Sequence, residues 1–171
     1  MNRKLDTDTH VFFYEQDFYV LSNFSAFTLM WKGIRFDTSE AAYHWEKFPH
    51  LPALQEEIRL ARSAHDALQI ARNHKKVQLP DWDDVKVKIM YGILQAKVEQ
   101  HPYVRRKLVE TGDRILVEDS WRDDFWGWGP NKDGQNVLGK LWMEIRSDRA
   151  MMDRLDRQVS SLPEKIGEPI I

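Results

Sequence analysis

The chain of 171 residues contains no cysteine, which excludes disulfides, thiol nucleophiles and zinc–thiolate sites. It also lacks any apolar run near the ~20 residues that a membrane-crossing helix needs. Residues 1–10, MNRKLDTDTH, lack the apolar centre of a secretory signal. A cytoplasmic location without membrane contact is the expectation. Charge of one sign is missing too: 25 Lys and Arg against 27 Asp and Glu give a formal net charge of −2. That leaves no drive for broad non-specific nucleic-acid binding, only for a local basic patch. No GxGxxG, Walker or HExxH motif occurs, and the six His are dispersed, so neither a metal nor a cofactor is expected. Activity should accordingly survive a divalent-ion chelator; loss on chelation with recovery on adding back an ion would overturn that expectation.

What remains is an ordinary globular composition, 42% hydrophobic and 30% charged, in a length suited to one domain with a sizeable core. Seven Trp, eight Phe and five Tyr are more aromatics than such a core needs. Most must simply pack, and a clustered subset would suit stacking on a flat base.

The organising stretch is residues 35–48, RFDTSEAAYHWEKF. Ile34 and Phe36 alternate with Arg35 as on a half-buried strand. Thr38 or Ser39 then offers an N-cap oxygen to a helix over 39–48, which Pro49 ends. Glu40 and Lys47 stand about two turns apart and so share a face, with Glu40 in the first turn where the helix dipole favours a negative charge. The ordinary reading is a solvated surface helix. The functional one is a catalytic carboxylate at a strand-to-helix junction among aromatics.

The rest of the chain reads as mainly helical. Residues 10–14 read as a strand and 27–36 as a hairpin turning at Lys32 and Gly33. Pro52 opens a helix with Leu54, Ile58 and Ala61 inward, and residues 63–66 resemble a capping box before Ala67, Leu68 and Ala71. Arg72, Lys75 and Lys76 cluster after it, as a solvated helix end or a phosphate contact. Asp81 and Asp83 open a long helix striped by Trp82, Val85, Ile89, Ile93 and Ala96. Pro102 starts another, closed by Gly112. Residues 115–117 form a short strand, and residues 119–134 a loop dense in Trp, Gly and Asp. A last helix starts near Asn136 with Leu138, Leu141, Trp142 and Ile145 inward. The fold class is α+β, a single mainly helical domain spanning 1–171 with a small antiparallel sheet, a core of about 11–146 and a flexible tail of about 162–171.

Three further constellations could carry chemistry. Trp126-Gly127-Trp128-Gly129 combines stacking faces with close backbone approach, or is a tight turn plugged by Trp. Asp123 and Asp124 could bind ribose hydroxyls or position water, or form a solvated acidic loop. Residues 134–136 run into a helix whose free N–H groups could receive a phosphate.

Taken in order, Ser22-Asn23-Phe24, Thr38-Ser39-Glu40 with Lys47-Phe48, Asp123-Asp124-Phe125-Trp126-Gly127, Asn136-Val137-Leu138-Gly139 and Leu141-Trp142-Met143-Glu144 resemble the NADAR family. That family includes the YbiA-like N-glycosidases. Residues 97–100 and 116–118 fit its middle portion, and the resemblance runs from about Val11 to Arg146. Ala41-Ala42-Tyr43 and Trp128-Gly129-Pro130 depart from the YbiA-like pattern.

The resemblance implies hydrolysis of the bond between ribose C1 and an exocyclic amine. In one branch the substrates are phosphorylated ribosylamino-pyrimidines of riboflavin synthesis. In another the substrate is ADP-ribosyl-guanine, in some cases in DNA, where the protein serves as antitoxin to a partner ADP-ribosyltransferase toxin. The matching residues are Asn23, Glu40, Lys47, Asp123, Trp126, Gly127, Asn136 and Gly139. On this reading Glu40 does acid–base work or stabilises positive charge on the sugar. Asp123 and Asn23 bind ribose hydroxyls, while Trp126, Phe24 and Trp82 enclose the base or sugar. Arg72, Lys76 or the helix start at Asn136 takes the phosphate. Lys47 is either a nucleophile that forms a Schiff base at C1 or a fixed charge beside an attacking water. The competing readings are a non-catalytic module that binds NAD or ADP-ribose in the same pocket, and a structural scaffold.

Overall fold

The structure, a computed structural model, describes residues 6–14 and 18–160. The tail expected over 162–171 lies outside them. The hairpin forms as the alternation requires, with β2 (Leu29–Trp31) antiparallel to β3 (Ile34–Phe36) and Met30 opposite Arg35. Lys32 and Gly33 both take positive φ, 51° and 77°, the two-residue turn whose twist matches its strands.

The other sheet corrects the expectation of antiparallel pairing throughout. β1 (His10–Phe12) runs parallel to β4 (Ile115–Val117), with Val11 opposite Leu116. Parallel neighbours need a crossover, and here it is most of the domain. β1 stops at Phe12 rather than Tyr14, although the Phe13 N–H still donates to the Val117 carbonyl at 3.1 Å.

Between these strands lie α1 (Ser39–Trp45), α2 (Pro52–Arg59), α3 (Ala64–Asn73), α4 (Trp82–Gln100) and α5 (Pro102–Glu110). After β4 come α6 (Val137–Ser147) and α7 (Arg149–Ser160). The central element is α4, against which α1, α5, α6 and β2 all pack. It therefore buries residues on more than one face, Met90, Ile93, Leu94, Lys97 and Val98 among them. Gln100 at its end exchanges hydrogen bonds with both backbone groups of Met30, at 2.7 and 2.9 Å, and ties the hairpin to it. In α6, Leu138, Leu141, Trp142 and Ile145 are buried, and the Trp142 indole N–H donates to the Leu21 carbonyl at 2.9 Å. The periodicity in the sequence predicts no helix after α6. Yet α7 places Met151, Met152 and Leu155 in the core.

Candidate active site

Thr38 caps α1, its hydroxyl accepting from the Ala41 N–H at 3.2 Å. Another free N–H of the first turn, that of Glu40, is taken by the Asn23 carbonyl at 3.1 Å, which draws residues 22–24 against the helix start. α1 ends sooner than Pro49 would force it to: after Trp45 the N–H groups of Lys47 and Phe48 bond back to His44 and Trp45 in a tightened turn. Lys47 therefore reaches the site from that turn rather than from a continuing helix face. The Leu79 N–H, bonded to the Lys47 carbonyl at 2.9 Å, holds the turn in place.

Glu40 and Lys47 line one cavity of about 450 Å³. Its buried wall holds Asn23, Glu40, Tyr43, His44, Trp82, Met90, Glu118 and Leu138, with Phe24, Phe125 and Trp126 half-buried beside them. Arg72, Lys75 and Arg122 line its exposed mouth, and Lys86 is half-buried there. Glu40 Oε1 lies 2.7 Å from His44 Nε2, an i,i+4 contact on α1. Burial lowers the His44 pKa, with Glu40 opposing, so the ring is neutral and donates from Nε2 to the carboxylate. Its Nδ1 is then a buried acceptor with no protein partner.

The Lys47 ammonium nitrogen stands 5.1 Å from the centre of the Tyr43 ring and 5.4 Å from that of Trp82. Desolvation among these rings lowers its pKa to about 8; Glu40 pulls it back up, while Lys75, Lys86 and Arg72 push it further down. Tyr43 in turn packs edge-on to Trp126, ring centres 5.5 Å apart, and burial raises its phenol pKa well out of the working range. Asp123 accepts the N–H groups of Phe125 and Trp126 at 2.9 and 2.7 Å, an Asx turn that aims Trp126 at Tyr43.

Of the residues singled out in the sequence, Asn23, Phe24, Glu40, Lys47, Arg72, Trp82, Asp123 and Trp126 line the cavity. Lys76, Gly127, Asn136 and Gly139 do not, and each has a physical reason to lie elsewhere. Lys76 is exposed in the short turn after α3, and its neighbour Lys75 is the one at the mouth. A side chain at Gly127 would strike the Glu118 carbonyl at 2.7 Å, so this glycine serves backbone packing.

The helix start at Asn136 is closed to phosphate. The N–H groups of Asn136, Val137 and Leu138 are taken by the carbonyls of Gly127, Phe125 and Trp126, each at 3.0 Å. The Asn136 side chain is spent on β4: Oδ1 accepts the Glu118 N–H at 3.0 Å and Nδ2 donates to the Leu116 carbonyl at 2.9 Å. Gly139 lets that strand approach α6.

Sequence reasoning does not pick out Glu118 as a site residue, nor Tyr43, His44 and Lys86, which also line the cavity. For Glu118 the signals were an acidic side chain directly after the apolar run of residues 115–117 and the fit of residues 116–118 to the family pattern. Among the described residues no cluster of three or more His, Asp or Glu is placed to hold a metal, and no helix is long and apolar enough to cross a membrane.

Comparison with known proteins adds a family to this geometry. A model described as the NADAR domain matches residues 12–148. The chain is 37% identical over 146 residues to N-glycosidase YbiA of Shigella boydii, covering 84% of this chain and 91% of that protein. Against N-glycosidase YbiA of Escherichia coli the identity is 36% with the same coverage. A riboflavin biosynthesis protein of Vibrio vulnificus is 34% identical over 140 residues, which is 81% of this chain and 38% of that protein. The NMR structure of the E. coli protein YbiA matches with a TM-score of 0.74 at 31% identity, covering 95% of this chain and 94% of that one.

Proposed function

The chain belongs to the NADAR domain family, and we propose that it is an N-glycosidase that hydrolyses the bond between ribose C1 and an exocyclic amine. Its substrates carry a ribose 5-phosphate or an ADP-ribose on that amine. The observation that carries the proposal is the placement of Lys47: an amine with a depressed pKa and no ion pair among the described residues, in one cavity with the Glu40–His44 pair. A lysine kept partly neutral near pH 8 is a nucleophile.

The chemistry follows from that amine. The ribose ring opens, its oxygen gaining a proton as the exocyclic nitrogen forms an imine at C1. Lys47 adds to C1. Glu40 moves a proton from the lysine nitrogen to the exocyclic nitrogen, which leaves as the free amine. Water then adds to the lysine Schiff base, Glu40 takes its proton and passes it to the lysine nitrogen, and the open-chain sugar departs and recloses. A nucleoside joined through a ring nitrogen cannot form the first imine without a permanent positive charge, which accounts for the preference for exocyclic amines.

Tyr43, Trp82 and Trp126 form an aromatic wall for the base or sugar. Arg72 and Lys75 at the mouth suit the phosphate. The Vibrio relative carries riboflavin biosynthesis in its name, which supports phosphorylated ribosylamino-pyrimidines as one substrate class. The chemistry of the cavity extends equally to ADP-ribosyl-guanine and to the antitoxin role it would serve.

A panel of phosphorylated ribosylamino-pyrimidine and ADP-ribosyl-guanine oligonucleotide tests the proposal, read by release of ribose 5-phosphate or ADP-ribose. Tight binding of ADP-ribose with no release from either substrate would make the protein a binding module instead. Trp126→Ala is expected to weaken substrate binding by about 1–3 kcal/mol, the range for stacking on a base. A variant that loses melting temperature but keeps its affinity would return Trp126 to a packing role.

A further inference from the structure

At the carboxyl end of β4 stands a carboxyl group that the lysine chemistry leaves unused. The backbone of Glu118 is clamped on both sides: its N–H donates to Asn136 Oδ1 at 3.0 Å and its carbonyl accepts from the Trp128 N–H at 2.9 Å. The side chain lines the cavity yet is only 8% exposed, and Oε2 is buried with no hydrogen-bond partner. A carboxylate in that position would carry an uncompensated buried charge, whereas a carboxylic acid would not.

Its neighbours favour the acid. Glu40 faces it from α1 and Asp123 from the loop after β4, both negative. Lys97 faces it from α4, but Lys97 Nζ donates to the Ser22 carbonyl at 2.9 Å and to Ser25 Oγ at 2.8 Å rather than to the carboxyl. Desolvation outweighs Lys97 and pushes the Glu118 carboxyl up to about 8. Within one cavity, then, Glu40 accepts a hydrogen bond from neutral His44 while Glu118 holds a hydrogen. A carboxyl group that burial keeps protonated is suited to acid work beside one that accepts.

We propose that Glu118 is the general acid of the ring-opening step, donating its hydrogen to the ribose ring oxygen. The role rests on the N-glycosidase reading of the site. The bond from C1 to the ring oxygen breaks, its electron pair stays on oxygen, and that oxygen takes the Glu118 proton as the exocyclic nitrogen's lone pair makes the imine. On reclosure the same hydroxyl adds to C1, whose oxygen keeps a hydrogen from the attacking water, and its proton returns to Glu118. Each turnover leaves Glu118 as it began. Lys47 must be neutral and Glu118 protonated at the same time, so the rate has a maximum near pH 8 and falls on both sides, with apparent pKa values that belong to the coupled set.

Two measurements test this. Infrared difference spectroscopy on the wild-type protein at pH 7 should show the carbonyl stretch of a protonated carboxyl, absent in Glu118→Gln. Glu118→Gln should lower kcat by about 10²–10⁴-fold, the range for general acid catalysis, change KM by less than about threefold, and lose the alkaline limb while keeping the acid limb. No protonated carboxyl in the wild type overturns the assignment without reference to any variant. So does a wild-type rate with both limbs intact in Glu118→Gln. If the wild-type protein itself releases no sugar from any substrate, the N-glycosidase reading fails and this role fails with it, a result distinct from an active wild type beside an equally active variant.

Discussion

Lys47→Met is expected to lower kcat by about 10³-fold or more, roughly 4 kcal/mol of barrier, and to leave the protein folded. The missing amine is the group that attacks C1, and the neighbouring lysines are differently placed: Lys75 stands at the exposed mouth, Lys86 is paired with Asp83 at 2.6 Å, and Lys97 is bonded to Ser22 and Ser25. Lys47→Arg should be as inactive as Lys47→Met, because a guanidinium keeps the charge and cannot be a nucleophile. A fixed-charge role predicts the opposite, an active arginine variant. Borohydride added during turnover should trap the sugar on Lys47 of the wild-type protein, seen by peptide mass. Absence of that adduct, together with substantial activity in Lys47→Met, would eliminate the imine route.

The pH dependence has a definite sign. The folded-state pKa of Lys47 is depressed from 10.5 to about 8, so the neutral, reactive fraction grows and the acid limb of the rate rises as the pH is raised toward about 8, above which loss of the Glu118 proton turns the rate down. Stability moves the same way. The folded state holds this proton less tightly than the unfolded chain, so the cost is fully present below about 8 and fades as the pH approaches 10.5. Lys47→Met should therefore melt higher than the wild type at pH 7, by on the order of 1–2 kcal/mol, and lose that advantage at high pH. Inactivity joined to a gain in stability separates loss of chemistry from loss of structure.

Gly139→Ala should cost about 3 kcal/mol or more and lower Tm by roughly 6–12 °C. In an exposed helix the same change would stabilise by close to 1 kcal/mol. Here the added Cβ would stand 2.1 Å from the Leu116 carbonyl oxygen, 2.6 Å from Asn136 Nδ2 and 2.7 Å from Asn136 Oδ1. None of those atoms can step aside without breaking the two hydrogen bonds by which Asn136 holds β4. One of them positions the Glu118 N–H, so activity should fall with stability. Gly92→Ala is the control: its Cβ would meet the tip of the Trp31 ring at 2.8 Å, a side chain tied only through its indole N–H to Glu46 rather than a strand backbone, and the cost should be smaller. Thermal melts of the two variants decide the matter, and equal, slight destabilisation would show that α6 and β4 are not held as closely as described.

Much of the fold was legible because it depends on neighbours in sequence. Thr38 and Ser63 cap the helices they precede, Pro52 and Pro102 open theirs, and Lys32-Gly33 turns the hairpin, since caps and turns are settled within a few residues. One helix was missed although its cap is local: Asp148 Oδ1 accepts the Met151 N–H at 3.0 Å at the start of α7. Its apolar stripe is short, and α7 is held by Met151, Met152 and Leu155 packing into a core built elsewhere.

By itself the sequence determined the turns and the helices up to α6, the absence of thiol chemistry, and the set of polar and aromatic residues from which a site could be drawn. Tertiary structure decided which of them meet. It joined β1 to β4 in parallel across some hundred residues, which brought Glu118 to the cavity, and it folded residues 123–128 onto the start of α6, which closed that helix to phosphate. It also set the protonation states. Lys47 and Glu118 are ordinary side chains in sequence, and it is chiefly the water excluded by the packed residues around them, with like charges adding to it, that moves both pKa values toward 8, because desolvation is a property of the packed neighbourhood and not of the chain order.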